Sequence, residues 1–245
     1  MTAHSGIVPS DSGIVTSHSG QALKLGTMDR NQWARWTGRP NCRVVRALGA
    51  EIDVEMLRAG FYPAGGGVVR ASVSPCNGLR PLDLVARGKR VAGYAESIVA
   101  GVPASVARHE LECIGTGMGW AEPQLMECEL PAEQGPGNAL LITLEHEHVT
   151  EVFTAFGEER VRAEAVAESV LDEARRYDAS NAAAGEHLAD QVMLPMALAG
   201  GGRYSIKRVS QHARTNAEII ARFLPVSITF EAGDNCAVCV VEAAN

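Results

Sequence analysis

The spacing of apolar residues changes along the chain, and the changes predict alternating helices and strands. Residues 41–53 carry apolar side chains at helical spacing up to Gly49, a residue suited to end a helix. Residues 56–74 predict two strands around a turn that holds one proline and three glycines. A strand is predicted over 90–102, and Pro103 then favours the start of a helix that runs to about residue 113.

The middle of the chain predicts one more strand and the clearest helix. Residues 139–149 alternate from Ile142 onward, which is typical of a strand with one face in water. The helix is predicted from Glu158 to about Tyr177, with acids and arginines opposite an apolar stripe. The predicted stripe consists of Val161, Ala165, Val170, Ala174 and Tyr177.

The last part of the chain predicts a dense succession of elements. A nearly all-apolar helix over 186–199 ends at three glycines, and residues 203–210 predict a strand. Thr215 or Asn216 is suited to cap the helix that follows. Two strands then flank residues 233–235 as a hairpin. Strands that alternate with helices indicate an α/β (α+β) fold class.

Composition adds the class of protein. The 245 residues are 46% hydrophobic and 21% charged, as expected of a folded protein with one or two domains. The chain has no apolar run of the roughly 18 residues that a membrane span needs, and its first residues lack the features of a secretory signal. We therefore expect a soluble, cytoplasmic protein with no membrane partner. Residues 1–40, rich in Ser, Gly and Thr at their start, predict a mobile N-terminal segment unrelated to the rest of the chain.

The net charge of −7 disfavours a nucleic-acid partner only as a whole-surface average. Residues 203–222 contain five basic residues and one acid, Glu218. Such a basic cluster on an acidic protein is suited to a substrate that bears phosphate, although ordinary scatter on a solvated face explains it equally well.

Cysteines and histidines offer weak metal signals. The six cysteines are irregularly spaced, and Cys236 and Cys239 form a C-x-x-C pair with no second pair to complete a zinc site, so reduced core thiols are expected. His146 and His148 lie two residues apart, so as strand residues they would share a face. No third ligand is suggested nearby, which favours a solvent-facing strand, and we assign no metal ligands.

Three clusters carry candidate chemistry, and each has an ordinary structural explanation. Residues 61–67 contain a triple glycine, which permits close approach to phosphate but is also typical of a hairpin turn. Residues 186–191 open a helix whose N-terminus suits an anion, although acids there are also common capping residues. His212 lies between the predicted basic strand and the next helix, where an imidazole can attack phosphorus or simply be a surface residue.

Together these clusters resemble one family, the RNA 3'-terminal phosphate cyclases. The resemblance rests on five segments in order along 41–245: GFYPAGGG (60–67), QGPGN (134–138), GEERVRAE (157–164), GEHLADQ (185–191) and HARTN (212–216).

The resemblance implies an enzyme, a ligase that converts an RNA 3'-phosphate to a 2',3'-cyclic phosphate at the expense of ATP. His212 matches the family's nucleophile, which attacks the α-phosphate of ATP and releases pyrophosphate. The residues that match its ATP-binding stretch are His187, Leu188, Ala189, Asp190 and Gln191. A divalent metal, magnesium, is implied as a cofactor, and RNA with a 3'-terminal phosphate is implied as the partner.

The resemblance also implies a large domain of repeated α/β units with a smaller α/β domain inserted. It predicts large-domain parts at 41–86 and 184–245 and the inserted domain at 87–183. Residues 1–40 lack the glycine-rich segment with which family members begin, so we expect an N-terminally truncated or divergent member. Two hypotheses follow: an active cyclase, and a catalytically inactive cyclase-like fragment that binds RNA or protein.

Overall fold

A computed structural model describes residues 14–16, 22–24, 40–62, 65–233 and 235–244. The predicted mobile segment 1–40 lies outside these residues except for two short strands and Pro40. The strands are β1 (Ile14–Thr16), β2 (Ala22–Lys24), β3 (Glu51–Arg58), β4 (Val68–Ser74), β5 (Leu82–Leu84), β6 (Arg90–Ala100), β7 (Leu125–Leu130), β8 (Gly137–His146), β9 (Thr150–Phe156), β10 (Gly201–Ile206), β11 (Val226–Gly233) and β12 (Cys236–Ala243). The helices are α1 (Pro40–Ala47), α2 (Ala104–Met118), α3 (Ala163–Asp178), α4 (Glu186–Leu198) and α5 (Gln211–Phe223).

The strands form two larger sheets, which confirms the predicted α/β class. One sheet has the order β7-β6-β8-β9, with β6 and β7 parallel and the other pairs antiparallel. The other has the order β11-β12-β10-β5, in which β5 and β10 run parallel. The hairpins β1–β2 and β3–β4 form separate two-stranded sheets. The domain boundaries inferred from the family remain a prediction.

Strand β8 is buried on both faces, so the prediction of one wet face is wrong. Leu140, Ile142 and Leu144 pack into the core beneath α2 and α3. Ala139 and Leu141 alternate with them and pack against Phe61 on the other side. The burial arises because β8 is a central strand that is covered on each face, and the nearly continuous apolar run over 139–144 leaves both faces apolar.

Helix α3 begins at Ala163, five residues after the predicted start at Glu158. The backbone turns just before the helix, since Arg160 has a φ of 69° and the Val161 amide donates to the Glu158 carbonyl at 3.1 Å. The predicted stripe is consequently wrong at Val161 and Ala165, which are exposed. It is right at its last three members, which are buried in the core beneath α3: Val170, Ala174 and Tyr177.

Helices α4 and α5 lie against the second sheet and share its core. This core joins Val192 and Met196 of α4 to Ile220 of α5 and to Tyr204 and Val241 of the sheet. Gly200, with a φ of 80°, ends the turn between α4 and β10, as the glycine run predicted. Strand β10 is shorter than predicted and ends at residue 206.

Five cysteines lie among the described residues whose side chains are defined, and all of them are free thiols. Only Cys239 is buried, whereas Cys76 and Cys128 are exposed, so the prediction of core thiols is wrong for those two. Cys76 follows a hairpin strand and Cys128 lies on the edge strand β7, where side chains meet solvent. In the part of the chain that the structure covers, no helix is long and apolar enough to cross a membrane.

Candidate functional site

The first turns of α4 contain the segment 187–191. Gly185 is the N-cap, and its carbonyl accepts the Ala189 amide at 3.0 Å. Leu188 and Ala189 point into the core, whereas His187 is exposed and Asp190 is half-buried. The surface of this helix start is therefore formed by Glu186, His187, Asp190, the half-buried Gln191 and the backbone. Leu188 and Ala189 can contribute only their main chain to a ligand.

The segment 212–216 lies inside α5 and not before it. Ser210 is the N-cap, because its hydroxyl accepts the Ala213 amide at 3.0 Å. The prediction that Thr215 or Asn216 caps this helix is therefore wrong, since the buried Ser210 serves as the acceptor one turn earlier. His212 accordingly lies in the first turn of a helix, exposed to solvent, and not in a loop.

The two helix starts lie side by side. The side-chain amide of Asn216 on α5 donates to the backbone carbonyl of Asp190 on α4 at 3.0 Å. Beneath them, the buried Tyr204 hydroxyl of β10 donates to the Ala189 carbonyl at 2.7 Å. The segments 185–191 and 212–216, which are widely separated in sequence, thus form one surface at which two helix N-termini present free amides and a positive dipole end.

The linker 182–185 between α3 and α4 is fully buried and fixed from three sides. Tyr177 donates to the Ala183 carbonyl at 3.0 Å, and the Ser205 hydroxyl accepts the Ala183 amide at 2.7 Å. The Glu151 carboxyl of β9 accepts the Gly185 amide. Burial is the main cause that raises the pKa of Glu151 to about 8, while its hydrogen bond from Gly185 opposes the shift.

The basic residues of 203–222 do not form a uniform patch. Arg203 pairs with Asp83 at 2.7 Å, and Arg208 lies 3.8 Å from the carboxylate of Glu186 at the start of α4. Lys207 donates to a backbone carbonyl of α3 at 2.7 Å. All three are exposed, so these contacts are weak and leave the cations available to an anionic ligand.

The other three family-like segments form a second cluster. The Ala59 amide donates to Gln134 Oε1 at 2.9 Å, which joins the segment 60–67 to 134–138. The Gly157 amide donates to the Asn138 carbonyl at 3.2 Å, which adds the start of 157–164. Pro63 and Ala64 lie outside the described residues. The structure thus gathers five segments into two clusters.

A buried carboxyl that sequence reasoning missed supports the second cluster. Glu110 of α2 accepts the Asn138 side-chain amide at 2.6 Å and the Ser97 hydroxyl at 2.7 Å. Burial raises its pKa, against the effect of these two hydrogen bonds. Glu110 and Glu151 were missed because each lies where the pattern indicates an ordinary exposed acid, and the sequence carries no sign of the partner that allows its burial.

His146 and His148 do not share a strand face. β8 ends at His146, which is buried, whereas His148 lies in the following turn and is exposed. The expectation of a solvent-facing strand is therefore wrong for His146, because Tyr177 packs its ring edge against it with centroids 6.1 Å apart. Burial, followed by the charges of Arg87 and Arg90, lowers the pKa of His146 to about 4. Among the described residues, no three His, Cys, Asp or Glu side chains cluster as metal ligands would.

Comparisons with known proteins support the family that the five segments resemble. The family model described as RNA 3'-terminal phosphate cyclase matches residues 34–230, and so begins inside the segment 1–40. The RNA 3'-terminal phosphate cyclase of Pseudomonas aeruginosa (strain UCBPP-PA14) is 44% identical over 191 residues, 78% of this chain and 56% of that protein. The protein of the same name from Koribacter versatilis (strain Ellin345) is 43% identical over 194 residues, 79% of this chain and 55% of that protein. The chain thus spans about half the length of the curated relatives it matches.

Proposed function

This chain belongs to the RNA 3'-terminal phosphate cyclase family, and on that premise we propose that it binds ATP between the starts of α4 and α5 and carries AMP on His212. The proposed reaction is the ATP-dependent closure of an RNA 3'-phosphate to a 2',3'-cyclic phosphate. The observation that carries the proposal is the adjacency of the two helix starts, joined by Asn216 and Asp190.

In the proposed first step, a ring nitrogen of His212 attacks the α-phosphorus of ATP. A nitrogen–phosphorus bond forms, the bond from that phosphorus to the bridging oxygen breaks, and pyrophosphate leaves. An oxygen of the RNA 3'-phosphate then attacks the adenylate phosphorus and frees His212. Finally the 2'-hydroxyl loses its proton, attacks the 3'-phosphorus and displaces AMP.

The position of His212 supports its proposed role as nucleophile. The side chain is exposed in the first turn of α5, so it is accessible to a nucleotide. Negative charge that develops on the α-phosphate is stabilised by the positive end of the helix dipole and by the cation of Arg214, also exposed in α5. The same residues offset the charge of RNA, whose binding should weaken as salt rises.

The start of α4 supports a role in holding phosphate. The amides at 186, 187 and 188 lie at the N-terminus of α4, where backbone N–H groups and the positive end of the helix dipole face an anion. His187 lies 3.6 Å from Glu173 on α3, a contact that orients the imidazole beside those amides. We propose that the main chain of Leu188 and Ala189 and the side chains of His187, Asp190 and Gln191 surround the nucleotide.

The proposed divalent cation, magnesium, finds no ready-made site in the part of the chain the structure describes. No group of three suitable ligands occurs there. We therefore assign it no protein ligands; in the proposal it accompanies ATP as a counter-ion of the triphosphate. A cytoplasmic location is part of the same proposal, because the reaction consumes ATP.

Transfer of label from ATP to protein tests the proposal. The purified chain is incubated with magnesium and ATP labelled at the α-phosphate, without RNA, and the acid-labile label on protein is measured. We expect labelling of the wild type and at least a ~100-fold loss in His212→Ala, because no other group replaces the attacking nitrogen. His109→Ala is the matched control, since His109 is an exposed helical histidine on α2.

The second candidate is a cyclase-like protein that binds RNA without catalysis. It is favoured by the exposed cations Lys207 and Arg208, which can bind the phosphates of an RNA whether or not His212 reacts. It predicts no label on a folded, monodisperse wild type but salt-dependent binding of an RNA with a 3'-phosphate. Absence of both label and RNA binding would contradict both candidates.

A further inference from the structure

We propose that Glu151 is a positioning residue for the nucleotide site, fixing the first turn of α4 through its hydrogen bond with Gly185. The inference rests on the proposed function, because it assigns the residue that holds the proposed ATP-binding segment in place. Glu151 does not touch the nucleotide in this proposal. It acts through the backbone of the helix that does.

The contact lies at the point where α4 begins. Gly185 is the N-cap of α4, and its amide donates to Glu151 Oε1. The carbonyl of the same residue accepts the Ala189 amide, which forms the first hydrogen bond within the helix. This carboxyl therefore helps to fix Gly185, from which the first turn of α4 is built, and with it the direction of the first backbone amides of the helix.

Glu151 reaches α4 from a different part of the fold. It lies on β9, an edge strand of the sheet β7-β6-β8-β9, whereas α4 packs on the other large sheet. The groups around it are Gly185 on the α4 side and, on α3, Glu173 and Tyr177. The Glu151 carboxyl thus links α4, the helix proposed to bind the nucleotide, to the sheet β7-β6-β8-β9, beside which the second cluster of family-like segments lies.

The lack of a side chain at Gly185 leaves the space that the Glu151 carboxyl occupies. A Cβ atom there would lie 3.1 Å from Glu151 Oε1, tighter than an ordinary contact. Glu151 is itself 4% exposed, so its carboxyl has no room to withdraw into solvent. Close packing and the hydrogen bond together explain why the segment GEHLADQ begins with glycine.

Burial of a carboxyl is unfavourable unless the group is hydrogen-bonded, and Glu151 accepts the Gly185 amide. Burial raises the pKa of Glu151 to about 8, so the group is largely neutral at pH 7. A neutral amide of the same length can accept the same hydrogen bond. The proposed role therefore requires that the side chain reach the Gly185 amide, and it does not require a negative charge.

Three variants test this assignment by direct measurement of ATP affinity, for example by calorimetry with magnesium and ATP. Glu151→Gln keeps the reach to Gly185 without the charge, and we expect an affinity within about twofold of wild type. Glu151→Asp keeps the carboxyl but is one methylene shorter, and we expect the affinity to fall by about tenfold. Glu145→Asp is the matched control, because Glu145 lies on the adjacent strand β8 and accepts from Tyr94 at 3.0 Å.

Amide hydrogen exchange of residues 185–191 is measured on the same proteins without nucleotide. We expect faster exchange in Glu151→Asp alone, because the first turn of α4 loses its anchor. If the wild type binds ATP and Glu151→Asp binds equally well, this inference is overturned while the proposed function stands. If Glu151→Gln loses affinity as Glu151→Asp does, charge and not reach is the requirement, and the inference is overturned. If the folded wild type does not bind ATP, the proposed function fails and takes the inference with it.

Discussion

The side-chain amide of Asn216 lies 3.0 Å from the backbone carbonyl of Asp190, and this contact joins two segments that are 26 residues apart. It connects α4 and α5 about one turn after each helix begins, close to the proposed ATP-binding residues and the proposed nucleophile. The bond is partly buried, so it is better protected from water than a surface contact. The Asn216 amide therefore adds a polar contact to the apolar core that α4 and α5 share.

Replacement of Asn216 by alanine should loosen the contact between α4 and α5. We expect Asn216→Ala to lower the free energy of unfolding by about 1 kcal/mol, the usual contribution of one hydrogen bond. The rate of AMP transfer to His212 should fall by more than the loss of stability accounts for, because the nucleophile and the nucleotide no longer keep a fixed separation. Urea unfolding and the label-transfer assay measure the two effects.

Asn181 provides the control for that prediction. It is exposed in the linker before α4, so Asn181→Ala removes the same functional group from a site outside the two helix starts. Label transfer that stays at the wild-type level in Asn216→Ala would contradict the proposed role of the contact.

The order of elements was largely predictable from sequence, since it depends on local periodicity. Strands β11 and β12 pair in register from end to end as the predicted hairpin, and α1 ends at Ala47, two residues before the predicted Gly49, which has a φ of 97°. Two-sided burial of β8 was not predictable, because the elements that cover it come from distant parts of the chain, Phe61 on one face and Ile114 on the other.

The candidate site was predictable only as separate segments. Residues 187–191 and His212 were assigned from the family resemblance, but the sequence gives no sign that Asn216 joins them. The cap at Ser210 was missed because Thr215 and Asn216 are equally good capping residues, and only the helix start at Gln211 decides between them. Glu151 was missed because its hydrogen-bond partner is the backbone amide of Gly185, and the sequence does not show which backbone amide a side chain will meet.

Ser210 is expected to control both helix stability and the position of His212. Its hydroxyl accepts the Ala213 amide at 3.0 Å, so Ser210→Ala leaves a buried amide without its acceptor. We expect the free energy of unfolding to fall by about 1 kcal/mol, and AMP transfer to His212 to decrease because the first turn frays. Ser210→Thr keeps the hydroxyl and should retain most of both. Equal losses of stability and of AMP transfer in Ser210→Ala and Ser210→Thr would indicate a packing defect and would contradict the role of Ser210 as the cap.

His146 should make the protein sensitive to mild acid. Its pKa is lowered to about 4 in the folded state from an ordinary value of 6.5, so the unfolded chain binds the proton more readily. The free energy of unfolding should therefore decrease as the pH falls from about 6.5 toward 4, by at most about 1.4 kcal/mol per pH unit from this group. His146→Leu should flatten that part of the profile, measured by urea unfolding at a series of pH values. His148→Ala, which alters an exposed histidine two residues away, should leave the profile unchanged.

Glu151 should have the opposite pH dependence, because its pKa is raised and not lowered. Burial raises the pKa of Glu151 to about 8 from 4.5, so the folded chain keeps a proton that the unfolded chain releases. The free energy of unfolding should therefore decrease as the pH rises from about 4.5 to 8 and become flat above that range. Glu151→Gln removes the titration while it keeps the hydrogen bond to Gly185, so the difference between wild type and variant isolates this group at each pH. A difference that stays constant from pH 4.5 to 8 would contradict a buried, neutral Glu151.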